Sequence, residues 1–288
     1  MTRQKWLLYA EKTMKEAGIA DTGEDAWLLL SHVTGLSRIG YTMEREKTLT
    51  ETEEKQLSAA LKKRLQHIPV QQITGEAWFF GYPFKVNENV LIPRLDTEVL
   101  VDAILQRIPQ IPADPEGKRQ LLDMCTGSGC ILLSLMKEAK GLCGTGVDIS
   151  DTALQVAKEN ARRLDTEARF IKSDLFAEVS GTYQVIVSNP PYIVRDVILT
   201  LEEEVRVHEP MLALDGGRDG LDFYRRIVGE ARQYLVSGGL LAFEIGYDQG
   251  EALLKFMQKA GYQNTEIIKD LAGLDRVAIG WKAEKQEE

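Results

Sequence analysis

The chain has 288 residues and a formal net charge of −9, long enough for one large domain or a domain with a smaller companion. The acidic balance argues against broad, stable binding to nucleic acid, which needs Lys and Arg to displace backbone counterions. No apolar run approaches the ~18 residues that cross a membrane, and the start, Met1-Thr-Arg-Gln-Lys-Trp-Leu-Leu-Tyr-Ala-Glu-Lys, lacks the apolar core of a signal peptide, so the sequence reads as cytoplasmic with no membrane partner.

In chain order, the first elements are helical. Arg3 to Ala17 forms one candidate helix. A second starts near Asp21 or Thr22 and carries Ala26, Leu29, Leu30 and Val33 on one face. A third starts at Thr50, with Glu53 three positions on in a capping-box pattern, and places Leu57, Leu61 and Leu65 one turn apart. Pro69 closes it. Residues 1–72 therefore read as a small helical bundle, either a packing domain or a partner-recognition domain.

Residues 73–93 change character. Trp78-Phe-Phe-Gly-Tyr-Pro-Phe and Lys85-Val-Asn-Glu-Asn-Val-Leu-Ile are short and β-like, with Gly81 and Pro83 between them, which predicts a β-hairpin linker. Residues 94–288 form the third part. A helix is expected over Asp96 to Arg107, then a polar loop with Pro109, Pro112, Pro115 and Gly117.

From Arg119 onward the chain alternates. Leu121–Met124, Gly144–Ile149, Arg169–Lys172, Gln184–Val187 and Leu240–Ile245 predict strands; Cys130–Ala139, Thr152–Leu164, Leu221–Leu235 and Gly250–Ala260 predict helices. Such alternation implies an α/β fold, a mainly parallel sheet with helices on both faces. Gln263–Lys269 and Arg276–Trp281 add two strands, with an antiparallel strand at the end of the sheet. Lys285 to Glu288 read as a frayed terminus. Cys125, Cys130 and Cys143 contain no Cys-x-x-Cys pair, and His32, His67 and His208 have no ligand spacing, so neither a disulfide frame nor a metal site is expected.

The chemistry gathers at strand ends. The first parallel strand runs into Asp123-Met-Cys-Thr-Gly-Ser-Gly-Cys. Gly127 and Gly129 permit a tight turn and close approach to a ligand, but the full Gly-x-Gly-x-x-Gly is absent. A plain strand-to-helix turn is the alternative. Asp148 ends the second strand, where an acid can accept both hydroxyls of a ribose; Ser150 and Asp151 are better placed to cap the next helix. Together these fit two cofactors, a nicotinamide dinucleotide or S-adenosylmethionine. Asp174 follows the third strand, either as an acceptor for an adenine amine or as a solvated loop residue, and Leu175 could pack on the ring.

The fourth strand delivers Asn189-Pro-Pro-Tyr. Pro190 and Pro191 fix φ and remove two N–H donors, which leaves carbonyl acceptors. Asn189 adds a neutral side-chain acceptor. Two such acceptors can hold both hydrogens of a planar –NH2 group, and Tyr192 can wall it.

This motif resembles that of the amino-group methyltransferases that use S-adenosylmethionine. The rest of the chain resembles one family within them, the peptide chain release factor N(5)-glutamine methyltransferases (the PrmC/HemK family). The likeness runs over nearly the whole length: Pro69-Val-Gln-Gln-Ile-Thr-Gly-Glu with Phe79-Phe-Gly-Tyr-Pro-Phe, Leu91-Ile-Pro-Arg-Leu-Asp-Thr-Glu, His208-Glu-Pro-Met-Leu-Ala-Leu, Gly217-Arg-Asp-Gly-Leu and Phe243-Glu-Ile-Gly. It implies a Rossmann-like class I S-adenosylmethionine methyltransferase fold, with a seven-stranded mixed sheet and a small N-terminal helical bundle for partner recognition. It implies cofactor contacts at Cys125, Thr126, Gly127, Ser128, Gly129, Asp148, Leu175 and Asn189. Substrate contacts would run along Asn189, Pro190, Pro191 and Tyr192, with Asn189 and Pro190 catalytic. The implied substrate is the glutamine of the Gly-Gly-Gln loop in class I release factors.

Three positions depart from the family pattern. Cys125 stands where glycine is common, Leu95 where proline is usual, and Leu175 in place of an aromatic found in some members. Arg94 is open between a substrate-backbone contact and a domain-interface salt bridge, and Glu209 between positioning the substrate loop and a structural cap or ion pair. The competing readings are a nucleic-acid adenine methyltransferase, a glutamine methyltransferase of a ribosomal protein, and a non-catalytic cofactor-binding adaptor.

Overall fold

In a computed structural model, which describes residues 1–284, the chain divides into two compact units. The expected fraying at 285–288 lies outside the described residues. One unit comprises residues 1–76 and 202–208, the other 77–201 and 209–288.

The first unit is helical: α1 (Arg3–Glu16), α2 (Thr22–Thr34), α3 (Arg38–Glu44), α4 (Glu51–Arg64) and α5 (Val70–Thr74). Thr50 caps α4 reciprocally with Glu53, which satisfies two otherwise orphaned N–H groups. Trp6, Ala10 and Met14 of α1 pack with Leu29 and Leu30 of α2 and with Leu57 and Leu61 of α4. Helix α3 buries no residue, so no apolar periodicity announces it. A short helix from the distant part of the chain, Glu203–His208, completes this unit. Arg64, only 3% exposed at its side chain, bridges Asp25 at 2.7 Å and also pairs with Glu204. Gln72 Nε2 donates to the His208 carbonyl at 2.8 Å.

The second unit starts with a hairpin of β1 (Glu76–Phe79, its first residue counted with the helical unit) and β2 (Tyr82–Lys85). The stretch after it is not a strand, contrary to the expectation over Lys85–Ile92. Val86, Val90 and Ile92 are buried and pack on Ala77, Ala153 and Val156. Asn87 instead turns the chain: its side chain accepts from Asn89 N at 2.9 Å. A 3-10 turn at Leu95–Thr97 leads into α6 (Glu98–Leu105).

The alternating part follows: β3 (Arg119–Met124), α7 (Cys130–Glu138), β4 (Leu142–Asp148), α8 (Asp151–Arg163), β5 (Arg169–Lys172) and β6 (Tyr183–Ser188). Three short helices, α9 (Arg195–Ile198), α10 (Glu203–His208) and α11 (Met211–Leu214), precede α12 (Asp222–Tyr234), β7 (Leu235–Glu244), α13 (Gly250–Lys259), β8 (Tyr262–Lys269) and β9 (Asp275–Lys282). The seven strands lie in the order β5-β4-β3-β6-β7-β9-β8. The first five pair in parallel, and β9 runs antiparallel to both neighbours. The reversed strand is thus inside the edge, because β9 slots between β7 and β8. Leu121, Val185, Val187, Leu240 and Ala242 face one helical layer, and Leu122, Ile186, Leu241 and Phe243 the other. Every residue of β6 is buried, as a central parallel strand covered on both faces requires. Among the described residues no helix is long and apolar enough to cross a membrane.

Candidate active site

Register brings the motifs together. Met124 of β3 lies level with Val147 of β4 and Ser188 of β6, so the glycine loop, Asp148 and Asn189 all emerge at one end of the sheet. The Ser188 hydroxyl donates to the Met124 carbonyl at 2.6 Å, and Thr126 N donates to the Val147 carbonyl at 2.9 Å, which pins this level. A cavity of about 460 Å³ opens there, a size typical of the ~300–1,000 Å³ range of small-molecule sites. It sits over the carboxyl ends of the parallel strands, where open α/β sheets bind ligands.

Most of the anticipated residues line it: Cys125, Thr126, Gly127, Ser128, Asp148, Leu175, Asn189 and Pro191. Gly129, Pro190 and Tyr192 do not. Gly129 instead starts α7 at φ 79°, and a Cβ there would press on Ala157 and Leu133 at 3.3 Å. Pro190 is buried. The Tyr192 ring is turned to the sheet side, where its hydroxyl donates to Glu244 Oε1 at 3.1 Å, so it is not a free wall of the cavity.

Asp148 is held by its surroundings. Its Oδ2 accepts from Gly127 N and its Oδ1 from Ser150 N, both at 2.9 Å. Burial raises its pKa, and these backbone N–H groups with that of Ile149 oppose the rise. A carboxylate offers about four lone pairs, so acceptor capacity remains toward the cavity. Beneath the loop Asp123 is fully buried and accepts from the Thr126 hydroxyl at 2.6 Å. Burial pushes its pKa up to about 7. Leu132 occupies the place of a third glycine and is itself buried, facing Gly144 of β4. The close helix approach that a dinucleotide fingerprint uses is therefore filled by a leucine side chain.

Two residues at the cavity have left-handed backbones without being glycine, Cys125 at φ 61° and Leu175 at φ 50°. The departure from glycine at Cys125 thus falls where glycine relieves a steric cost. Leu175 is 4% exposed and packs into the sheet core. Leu95 is 76% exposed and disturbs no core contact.

Asn160 carried no sequence signal, and for the other contributors around the cavity the structure supplies the partner. Asn160, fully buried on α8, donates to the Ser128 carbonyl at 2.9 Å and to the Lys85 carbonyl at 3.0 Å, and accepts from Lys85 N at 2.7 Å. It ties the glycine loop to β2. Thr97 Oγ1 faces Asn189 Nδ2 at 3.5 Å. Arg94, at the cavity wall, bridges the buried Glu209 carboxylate at 2.6 Å, and Asp174 pairs with Arg226 at 2.8 Å. The loop of Gly216 to Gly220 packs directly on Tyr192: a Cβ on Gly220, at φ 74°, would lie 2.4 Å from the Tyr192 carbonyl oxygen. Gln249 Nε2 donates to that same oxygen at 3.0 Å. In the sequence this loop stood out only through the likeness of Gly217-Arg-Asp-Gly-Leu to the family, which gave no contact.

A doubly covered sheet with β9 reversed, and a cavity over the ends of β3, β4 and β6, define a class I, Rossmann-like methyltransferase domain. Residues 97–205 match the family described as methyltransferase small domain, and residues 5–75 match the PrmC N-terminal domain. The chain is 41% identical over 273 residues to a release factor glutamine methyltransferase of Agrobacterium fabrum, covering 94% of each chain. It is 41% identical over 276 residues to a second one, of Caulobacter vibrioides, covering 95% of this chain and 94% of that one. A solved methyltransferase from Pyrococcus furiosus shares the fold at 20% identity and a TM-score of 0.51, over 77% of this chain and 99% of that chain. The chain belongs to the release factor glutamine methyltransferase family.

Proposed function

We propose that this protein methylates the side-chain amide nitrogen of the glutamine in the Gly-Gly-Gln loop of class I peptide chain release factors, with S-adenosylmethionine as methyl donor, and so tunes translation termination in the cytoplasm. The observation that carries the reading is Asn189 on the cavity wall, its Nδ2 turned to Thr97 Oγ1, in a chain of this family. That orientation leaves Oδ1 as the acceptor for a substrate –NH2 group.

S-adenosylmethionine, when bound, supplies an electrophilic methyl group on a sulfonium. The chain's residues fit that group: Asp148 keeps lone pairs for ribose hydroxyls, Gly127 and Ser128 bring backbone to the cavity, and Leu175 offers an apolar face for the base. Asn189 Oδ1 and the Pro190 carbonyl would hold the two amide hydrogens, so that the nitrogen faces the cavity. An amide nitrogen is a weak nucleophile, and positioning supplies most of the help. The same two acceptors would stabilise positive charge that develops on the nitrogen, and its proton would leave to water. In the proposed division of labour residues 1–72 recognise the release factor, 73–93 link, and 94–288 catalyse. With a net charge of −9, no stable nucleic-acid complex is expected.

The test combines purified protein, methyl-labelled S-adenosylmethionine and a class I release factor, beside the same factor with its loop glutamine changed to alanine. Duplex and single-stranded DNA serve as parallel acceptors. Label on the intact factor alone is the expected result. Label on DNA, or equal label on both factors, would overturn the reading.

A further inference from the structure

We infer that Asn160 is a positioning residue for the cofactor, which staples together two walls of the cavity, the glycine loop and the stretch that follows the hairpin; this rests on the cofactor proposed above. Helix α8 supplies the frame. Ala153, Val156, Ala157 and Asn160 recur at three- and four-residue spacing, so they share one face of it. Val86, Val90 and Ile92 pack on Ala153 and Val156, and the same stretch gives the cavity Glu88, Asn89, Val90 and Leu91. On the other side, a Cβ on Gly129 would press on Ala157 at 3.3 Å, and the residues just before it, Cys125 to Ser128, line the cavity. Both walls therefore rest on one helix face. Apolar contact is non-directional, so it brings the walls to the helix without fixing their register along it.

Asn160 supplies the direction. Its Oδ1 accepts from Lys85 N at 2.7 Å, and its Nδ2 donates to the Lys85 carbonyl at 3.0 Å and to the Ser128 carbonyl at 2.9 Å. Every partner is a main-chain group. A backbone N–H only donates and a carbonyl only accepts, so these bonds fix which way the amide faces, with no hydroxyl proton left to place. Toward Lys85 the pair of bonds copies the exchange between residues of neighbouring antiparallel strands. It braces the end of a two-stranded hairpin, which is marginal by itself. The remaining hydrogen goes to the glycine loop. Asn160 is fully buried and Ser128 is 2% exposed, so that carbonyl has no water to turn to if the bond is cut. Asn160 itself stays outside the cavity lining. It acts on the ligand through the main chain on either side.

Two variants cut the staple differently. Asn160→Ala removes all of its bonds. Asn160→Asp keeps an acceptor for Lys85 N but sets an acceptor against the Ser128 carbonyl. Met257→Ala, which truncates a fully buried side chain on α13 outside the cavity lining, controls for a general loss of stability, read by thermal melting. Cofactor Kd is measured by calorimetry and kcat on the release factor at saturating cofactor. Amide hydrogen exchange over residues 125–129 is followed in the cofactor-free protein. Both N160A and N160D are expected to raise Kd at least ~10-fold and to speed exchange in the loop, with kcat at saturation within ~threefold, while M257A keeps Kd and loop exchange within ~threefold of wild type. Wild-type Kd or wild-type loop exchange in a folded N160 variant would overturn the inference, as would an equal rise in M257A or a loss confined to kcat. Should one N160 variant fail to fold, the other decides by the same criteria. Wild-type protein that binds no S-adenosylmethionine overturns the cofactor reading and this inference with it; wild type that binds it, beside variants of unchanged Kd, overturns the inference alone.

Discussion

At one end of the cavity Asp148 accepts two backbone N–H bonds, from Gly127 and from Ser150 two residues on; at the other, Asn189 meets Thr97, 92 positions away in the chain. The glycine-loop end is made largely of main chain between adjacent strands. The Asn189 end gathers side chains from the 3-10 turn and from β7, with glycine backbone of the Gly216–Gly220 loop packed on Tyr192. Each end rests on a buried acid at a strand terminus, Asp123 below the first and Glu244 below the second, and burial raises the pKa of both. The difference teaches where each end is vulnerable. Main-chain cradles tolerate side-chain change as long as φ is permitted, whereas contacts gathered from distant side chains fail when one partner is replaced.

The largest expected effect tests the buried acid at the glycine-loop end. The folded pKa of Asp123, about 7, stands above the usual 3.8 of the unfolded chain. The folded state therefore binds the extra proton, and stability falls as pH rises from about 4 through 7, by up to about 4 kcal/mol for this group. Asp123→Asn should flatten that slope in urea unfolding; parallel slopes for the two proteins would refute the burial argument. At the other end, Asn189→Ala removes the side-chain acceptor. Turnover should drop roughly 100- to 1,000-fold with cofactor binding nearly unchanged, as kinetics and calorimetry would read. A variant with near-normal turnover would end the role given to Asn189.

Asp148→Asn is the main-chain counterpart. It keeps the shape but replaces one charged acceptor, so cofactor Kd should rise about 10- to 100-fold while turnover at saturation changes little. An unchanged Kd would place the ribose elsewhere. The smallest effect belongs to Cys125→Gly. The αL backbone at φ 61° costs an L-residue about 1–2 kcal/mol, and glycine's looser unfolded state offsets part of that. Stability should stay level or rise by about 1 kcal/mol in a melting experiment. A clear loss would mean that the thiol's packing outweighs its backbone strain.

Much of this could be read from the residues in order. Alternating apolar runs announce a parallel sheet with its helices, Thr50 and Glu53 announce the start of α4, and Gly127, Asp148 and Asn189 follow strands at the ends where ligands bind. These are local signals: periodicity, capping and punctuation act over a few residues, so a linear reading sees them. Other features are silent for equally physical reasons. Helix α3 has no buried face to impose a period. The stretch Val86–Ile92 reads as β-like, yet Val86, Val90 and Ile92 are buried by side-chain packing and form no strand. Asn160 looks like an ordinary polar residue in line, and the partners of Thr97 and Glu244 leave no local mark.

By itself, then, the sequence determined the order of the elements, most of the residues that line the cavity and, through its family likeness, the reaction. Only the tertiary structure decided that Tyr192 turns to Glu244, that Arg64 reaches Glu204 across 140 positions, and that Asn189 meets Thr97. A hydrogen bond has a direction. Which atom donates is settled by whatever neighbour the fold supplies, and neighbours so distant in the chain leave no mark on the local pattern.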